Sequence, residues 1–121
     1  MPIKSFLDLE VYRESFQLSL EVEGFVRRFP SSEKFLLADQ LRRASRAVPA
    51  LISEGYAKRE SVKDFRKYLK DALGETNEMI NHLSLEKAFG YIDNGPSNDL
   101  INRYHVVGKK LSKLKDNWQK F

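Results

Sequence analysis

The sequence predicts an all-α protein, a four-helix bundle whose successive helices run up, down, up and down. Apolar residues recur at intervals of three and four in four separate segments, which is the period of one face of an α-helix. Only short stretches rich in Pro, Gly, Asn and Ser separate these segments, and short connections favour antiparallel neighbours. The helices are predicted at 8–29, 32–59, 61–89 and 96–118, within a single domain of residues 1–121.

The first predicted helix is apolar on two sides. The side expected to face the bundle core consists of Val11, Leu18, Val22, Phe25 and Phe29. The side expected to contact further copies of the chain consists of Leu9, Tyr12, Phe16 and Leu20. In a chain this short, a helix that is apolar over so much of its circumference favours burial against two partners, its own bundle and another subunit. The alternative is one broad core face with a few exposed aromatic residues.

The second predicted helix contains a proline, Pro49, in the middle of its apolar pattern. Proline removes the hydrogen bond to the carbonyl four residues earlier, which is that of Ser45 here. Because apolar residues keep the helical period on both sides of Pro49, we expect one kinked helix rather than two separate helices.

The third and fourth predicted helices have recognisable boundaries. Ser61 is a candidate N-cap, and Asp64 suits the first turn of the helix that follows. Gly90 is expected to end that helix in a left-handed conformation. The fourth helix has apolar residues at alternating intervals of four and three, the pattern of left-handed bundle packing. These residues are Leu100, Tyr104, Val107, Leu111, Leu114 and Trp118.

Several segments of the chain resemble a known family. They are QLRRASRAVPALISEGYAKR, DFRKYLKDALGETNEMINHL and FGYID, together with the opening FLDLEVYRESFQLSLEV. Over nearly the whole chain they are similar to the four helix bundle proteins, also called 23S ribosomal RNA intervening-sequence proteins. The chain departs from the family pattern by Ala47-Val48 in place of Ser-Ile, Ala50-Leu51 in place of Ser-Asn, Ser53 in place of Ala and Glu75 in place of Ser.

This resemblance implies a four-helix bundle that assembles into a homopentamer and inherits no established catalytic residue. Family members have genes within ribosomal RNA intervening sequences. Related accessory proteins of diversity-generating retroelements are basic and associate with nucleic acid and a reverse transcriptase. The resemblance therefore favours nucleic acid as a partner, although it assigns no site.

Composition excludes several kinds of site. The chain has no cysteine, which excludes disulfides, thiolate metal ligands and a cysteine nucleophile. We find no signal-peptide pattern and no apolar run of about 18 residues, and we expect a cytoplasmic protein that does not insert into a membrane. Neither a Gly-rich phosphate loop nor a nucleophile–base motif is recognisable. We therefore expect no catalysis, no cofactor and no small-molecule substrate.

One row of acidic residues is a candidate metal site. Asp71, Glu75, Glu78 and His82 share one side of the third predicted helix. Di-iron bundles, however, use a Glu-x-x-His pair on each of two helices, whereas Glu78 and His82 are four residues apart and no second pair exists. The expectation is a solvated or ion-paired face with no bound metal, and a carboxylate metalloenzyme is a distant alternative.

Another carboxylate is expected to be structural. Glu54 lies beside apolar positions of the second helix, so we expect it to be buried and paired with Arg42, Arg43 or Lys58. Glu78 is expected to be a structural polar residue as well.

The strongest functional signal is a run of basic residues around the junction of the second and third helices. Residues 41–70 contain nine Lys and Arg against three Asp and Glu. Clustering of Lys and Arg on one face is the electrostatic footprint of phosphate-backbone binding. The nine residues are Arg42, Arg43, Arg46, Lys58, Arg59, Lys63, Arg66, Lys67 and Lys70.

Two interpretations of this basic run stay open. In the first, a non-enzymatic homo-oligomeric scaffold binds RNA or DNA through its basic faces. In the second, the protein is a protein–protein interaction module, and its basic residues only keep it in solution.

Overall fold

The computed structural model describes residues 3–29 and 35–119, and all regular structure within them is helical. A short 3-10 turn at Phe6–Asp8 precedes four α-helices. The helices are α1 at Glu10–Val26, α2 at Phe35–Ala57, α3 at Val62–Ala88 and α4 at Asn94–Asn117. The prediction of an all-α four-helix fold is confirmed. The predicted start of the second helix at residue 32 lies outside the described residues.

Neighbouring helices are antiparallel, as contacts between distant side chains show. Arg43 of α2 reaches Glu75 of α3, whereas Lys58, fifteen positions further along α2, reaches Tyr68 of α3. As the residue number increases along α2, the residue number of the contacted position on α3 decreases, so the two helices run in opposite directions. The same reversed order holds between α3 and α4 and between α1 and α4. Of the neighbouring helix pairs, α1 and α4 share the fewest contacts.

The core is a continuous apolar cluster to which all four helices contribute. The apolar positions of α4 point into it, and Tyr104 is completely buried there. Near the α2–α3 turn, the rings of Phe65 and Trp118 meet edge to face with centroids 4.7 Å apart, and Tyr56 packs against both. This aromatic cluster closes one end of the bundle, beside the basic run.

Local hydrogen bonds fix both ends of α3. The Ser61 hydroxyl accepts a hydrogen bond from the Asp64 N–H at 3.1 Å, so the predicted N-cap is confirmed. At the other end Gly90 has a φ of 77°, which only glycine adopts without strain. The Gly90 and Tyr91 amides donate to the carbonyls of Lys87 and Glu86, the two bonds of a Schellman motif.

The start of α1 differs from the prediction. Leu9 has extended backbone angles and separates the 3-10 turn from α1, so the first α-helix begins at Glu10 rather than residue 8. Ser5 and Asp8 form a capping box on the 3-10 turn, which holds this segment in place. Leu9 is consequently turned into the core, where it is 3% exposed.

The second helix passes through Pro49 without interruption. Further along, α2 and α3 approach closely at Gly55, since a Cβ atom built there would lie 2.5 Å from the Cβ of Tyr68. Glycine is therefore required at this contact. Among the described helices, none combines the length and hydropathy needed to cross a membrane.

Candidate functional site

The nine basic residues do not form one uniform surface. Three arginines on the second helix, Arg42, Arg43 and Arg46, lie along the flanks of α2 and are ion-paired. We call them the paired flank. The other six lie at and beyond the α2–α3 turn, where their partners are aromatic rings, backbone carbonyls or solvent.

On one side of the paired flank, a single carboxylate of α1 gathers three arginines. Glu23 accepts hydrogen bonds from Arg42 at 3.0 Å, from Arg46 at 3.1 Å and from Arg27 at 3.0 Å. The hydrogen bonds from Arg42 and Arg27 lower the pKa of Glu23 to about 2. Glu23 therefore stays ionised under ordinary conditions, and each of these arginines already has an ion-pair partner within the chain.

On the other side, Arg43 bridges two carboxylates of α3. It donates to Glu75 at 3.2 Å and also to Glu78, which in turn lies 3.2 Å from the His82 ring. The bond from Arg43 lowers the pKa of Glu78. Burial, and then the neighbouring Glu78, raise the pKa of Glu75. This arrangement uses the carboxylates as partners for a cation from the same chain.

The acidic row on α3 does not come together as a metal site. Asp71 is exposed, and Glu75 and Glu78 are occupied by Arg43. Within residues 3–29 and 35–119, no group of three or more potential ligands among His, Cys, Asp and Glu could hold a metal ion.

Glu54 is exposed, and the expectation that it is buried is wrong. At this level of α2 the buried positions belong to Ile52, Gly55 and Tyr56. The helical period places the Glu54 side chain on the solvent side between them. Its charge acts only at a distance, as a minor contribution to the raised pKa of Lys58.

Two cations at the α2–α3 turn are held by tyrosines. The Lys58 ammonium donates to the Tyr68 hydroxyl at 2.6 Å and lies 4.8 Å from the centre of the same ring. Arg59 lies 4.2 Å above the Tyr56 ring and donates to the Tyr56 carbonyl at 3.1 Å. Both keep their full charge, because an aromatic ring or a carbonyl does not neutralise a cation.

Beyond the turn, α3 presents three lysines along one outward-facing row. Lys63, Lys67 and Lys70 are exposed, and their spacing of four and three places them on one side of the helix. The buried positions Phe65 and Leu69 lie on the opposite side. None of the three lysines has an ion-pair partner in the part of the chain that the structure describes. We call them the lysine row.

The lysine row borders an open groove between α3 and the end of α4. Arg66 and Lys115 also line this groove, with Asp64 and Asp116 as its only carboxylates among the described residues. The Arg66 guanidinium donates to the Lys115 carbonyl at 2.9 Å and to the Trp118 carbonyl at 3.3 Å, which caps the last turn of α4. Five cationic groups thus face two carboxylates, and one of these, Asp116, is paired with Lys115.

The second apolar side of α1 is only partly available at the surface. Leu9 lies in the core and Tyr12 is half-buried between the rings of Phe6 and Phe16. Phe16 and Leu20, however, are 47% and 56% exposed. They border a shallow groove between α1 and α2 whose floor includes Pro49, Ala50 and Ser53.

Sequence reasoning missed one unusual carboxyl group. Glu86 near the end of α3 is completely buried, and neither carboxyl oxygen has a hydrogen-bond partner among the described residues. Burial alone raises the pKa of Glu86 to about 7. The signal was present, because Glu86 continues the buried α3 stripe of Met79 and Leu83 at intervals of four and three.

Comparison with known proteins places the chain in a family. The profile of the 23S rRNA-intervening sequence proteins matches residues 7–113, which include the whole basic run. The chain belongs to the 23S rRNA-intervening sequence protein family. Its residues 42–70, where the lysine row and the paired flank lie, are therefore part of the family domain. No protein with a curated description matches the chain.

A solved structure shares this fold. It is the crystal structure of a protein of unknown function from the S23 ribosomal protein family of Bacteroides thetaiotaomicron, with a TM-score of 0.80. The two sequences are 23% identical, and the match covers 88% of this chain and 96% of the other. At this identity the likeness shows the fold alone. For this member of the 23S rRNA-intervening sequence protein family, function has to be argued from its own residues.

Proposed function

We propose that this protein is a non-enzymatic, homo-oligomeric helical scaffold that binds the phosphate backbone of nucleic acid through the lysine row. The observation that carries the proposal is that Lys63, Lys67 and Lys70 are exposed, aligned and without an ion-pair partner in the described chain. The arginines of the paired flank, by contrast, are ion-paired with Glu23, Glu75 and Glu78.

The spacing of the lysine row suits a polyanion. At a rise of about 1.5 Å per residue, Lys63 and Lys70 lie about 10 Å apart along α3. Their ammonium groups are flexible point charges that accept any phosphate geometry. Lys63 also lies in the first turn of α3, where the partial positive charge of the helix N-terminus adds to its potential. Contacts of this kind release counterions and weaken steeply as salt is added.

Assembly with further copies would multiply these contacts. Phe16 and Leu20 project from α1 beside a groove that is lined on α2 by Arg46, Pro49, Ala50 and Ser53, a surface that a second copy could cover. The family resemblance gives five as the expected number of copies. Lysine rows repeated around such an assembly would bind one polyanion through avidity, so each row need contribute only a weak interaction.

The decisive experiment reverses the charge of the row. We expect Lys63→Glu, Lys67→Glu and Lys70→Glu together to abolish binding of RNA and DNA at about 100 mM salt, where the Debye length is about 10 Å. The matched control is Arg28→Glu, Lys109→Glu and Lys113→Glu, which makes the same change in net charge at exposed positions that do not line the α3–α4 groove. Circular dichroism and light scattering establish that both variants keep their helices and assembly.

The outcome discriminates between charge in general and the lysine row. Equal loss in both triple variants would show that only net charge matters. No binding by the wild-type protein to either RNA or DNA at about 100 mM salt would exclude nucleic acid as the partner.

A second function, a protein–protein interaction module without nucleic-acid binding, is favoured by the exposed Phe16 and Leu20. If that function is the right one, Leu20→Glu disrupts the assembly or its partner contact, while the lysine variants leave both unchanged. Light scattering of the wild-type protein tests the scaffold itself, because a monomer at micromolar concentration would contradict homo-oligomerisation.

A further inference from the structure

We infer that the lysine row selects double-stranded nucleic acid over single strands. The inference rests on the proposed function, and it names the class of nucleic acid that this surface fits. It follows from three observations: the aromatic rings near the row are buried or in contact with a cation, the row is straight, and the neighbouring arginines already have hydrogen-bond partners.

Single-strand binding normally depends on stacking of bases against exposed aromatic rings. The rings nearest the lysine row are already covered. Tyr68 packs on Gly55, and Lys58 lies over its ring and binds its hydroxyl. Tyr56 is 5% exposed and lies beneath Arg59.

The third aromatic residue at this end of the bundle is also unavailable to a base. Trp118 is 9% exposed, and its ring packs edge to face on Phe65. Of these three rings two are buried, and the third, that of Tyr68, is only partly exposed and has Lys58 over it. A single strand bound here would contribute its phosphates alone.

A duplex offers the row more charge without an ordering cost. Double-stranded DNA carries one phosphate per about 1.7 Å of axis, so roughly six lie along the 10 Å between Lys63 and Lys70. One strand carries half as many at the same rise. A flexible strand must also be ordered to follow a straight helix, which costs conformational entropy, whereas a duplex is already rigid.

The arginines next to the row are not placed to read bases. Specific recognition of guanine uses a free guanidinium that donates two parallel bonds in the major groove. The Arg59 guanidinium lies over the Tyr56 ring and donates to the Tyr56 carbonyl, and that of Arg66 is engaged by two carbonyls at the end of α4. The lysine row should therefore distinguish a duplex from a single strand but not one base sequence from another.

The test measures affinity by fluorescence anisotropy with three probes: a mixed-sequence duplex of about 20 base pairs, one of its strands, and a single strand of twice the length. The longer strand equals the duplex in number of phosphates, so it separates charge density from total charge. We expect the duplex to bind about tenfold more tightly than either single strand at about 100 mM salt, and its affinity to fall more steeply with added salt.

A ring variant checks the stacking argument. Tyr68→Leu should leave the affinities for all three probes unchanged relative to one another. Equal or tighter binding of either single strand by the wild-type protein overturns the inference while leaving the proposed function standing. A loss of single-strand binding alone in Tyr68→Leu also overturns it, because bases would then stack on this ring. Absence of binding to every probe overturns both the inference and the proposed function.

Discussion

The paired flank and the lysine row lie within one run of basic residues. The arginines of the paired flank are ion-paired, whereas the lysines of the row have no ion-pair partner among the described residues. Arg42, Arg43 and Arg46 contact carboxylates from α1 and α3, so their charges are used inside the chain. Lys63 and Lys67 face solvent on the outer side of α3. The difference arises from the neighbours of each helix: acidic residues of α1 and α3 flank α2 on both sides, whereas the lysine row borders an open groove towards the end of α4. The carboxylates on neighbouring helices therefore decide which of the basic residues are ion-paired.

The same comparison can be made for two carboxylates. Glu23, in contact with the paired flank, has a pKa lowered to about 2, whereas Glu86 has no partner among the described residues and has a pKa raised to about 7. A lowered pKa stabilises the folded state above the ordinary pKa, and that stability is lost as the pH falls toward 2. A raised pKa acts in the opposite direction: the stability is complete below about 4.5 and is lost as the pH rises toward 7.

The largest expected effect is therefore at Glu86. We expect Glu86→Leu to be more stable than the wild type at pH 8, by up to about 3 kcal/mol, because the variant no longer has to ionise a buried group. The difference should shrink as the pH is lowered from 7 to about 4.5, where the wild-type carboxyl is protonated. Urea unfolding at a series of pH values measures it.

The exposed Glu54 provides the control for this experiment. Glu54→Gln removes an exposed carboxyl and should not reproduce the stability gain of Glu86→Leu at pH 8. A Glu86→Leu variant whose stability differs from the wild type by the same amount at pH 5 and pH 8 would contradict ionisation as the cause and indicate a packing effect instead.

An intermediate effect on stability is expected at Gly55, where α2 and α3 approach each other most closely among their glycines. Gly55→Ala places a Cβ 2.5 Å from the Cβ of Tyr68, so it should destabilise the protein by about 1–3 kcal/mol. Gly74 lies on the exposed side of α3 beyond the lysine row, and a Cβ there would have no atom within 4 Å. Gly74→Ala should stabilise the protein by about 0.5–1 kcal/mol.

Thermal unfolding distinguishes the two glycines. Opposite shifts of the melting temperature are expected, downward for Gly55→Ala and upward for Gly74→Ala. A neutral Gly55→Ala would mean that α3 can move away from α2 at no cost. In that case the position of the lysine row relative to the paired flank would not be fixed by this contact.

The fold was predictable because its determinants are local. The helical period of apolar residues, the Ser61 cap and the left-handed Gly90 can all be recognised within a few positions of the chain. Leu9 shows where that reasoning stops. Its place in the helical pattern put it on the outer face, but α1 begins only at Glu10, and the extended backbone at Leu9 turns its side chain into the core.

The division of the basic run was not predictable in the same way. Arg42 and Glu23 are 19 positions apart, and Arg43 and Glu78 are 35 apart, so their pairing depends on which helices become neighbours. The burial of Glu86, in contrast, follows from its place in the α3 stripe. A charged residue at a core position of a helical pattern is a signal that sequence analysis can use directly.

The smallest expected effect tests the comparison between the two regions itself. Arg43→Ala removes the cation that bridges Glu75 and Glu78, leaving two neighbouring carboxylates on α3 to repel each other. Because Arg43 is half exposed, solvent screens the loss, and we expect destabilisation of about 1 kcal/mol or less.

Lys67→Ala should change the free energy of unfolding by less than about 0.5 kcal/mol, since that side chain has no partner in the described chain to lose. Adding Glu78→Gln to Arg43→Ala removes one of the two repelling carboxylates, so it should recover part of the lost free energy of unfolding. Adding Glu78→Gln to Lys67→Ala should recover nothing. Destabilisation of about 1 kcal/mol or more by Lys67→Ala in urea unfolding at pH 7 would mean that the lysine row also supports the fold, and its charges would then no longer be free for a partner.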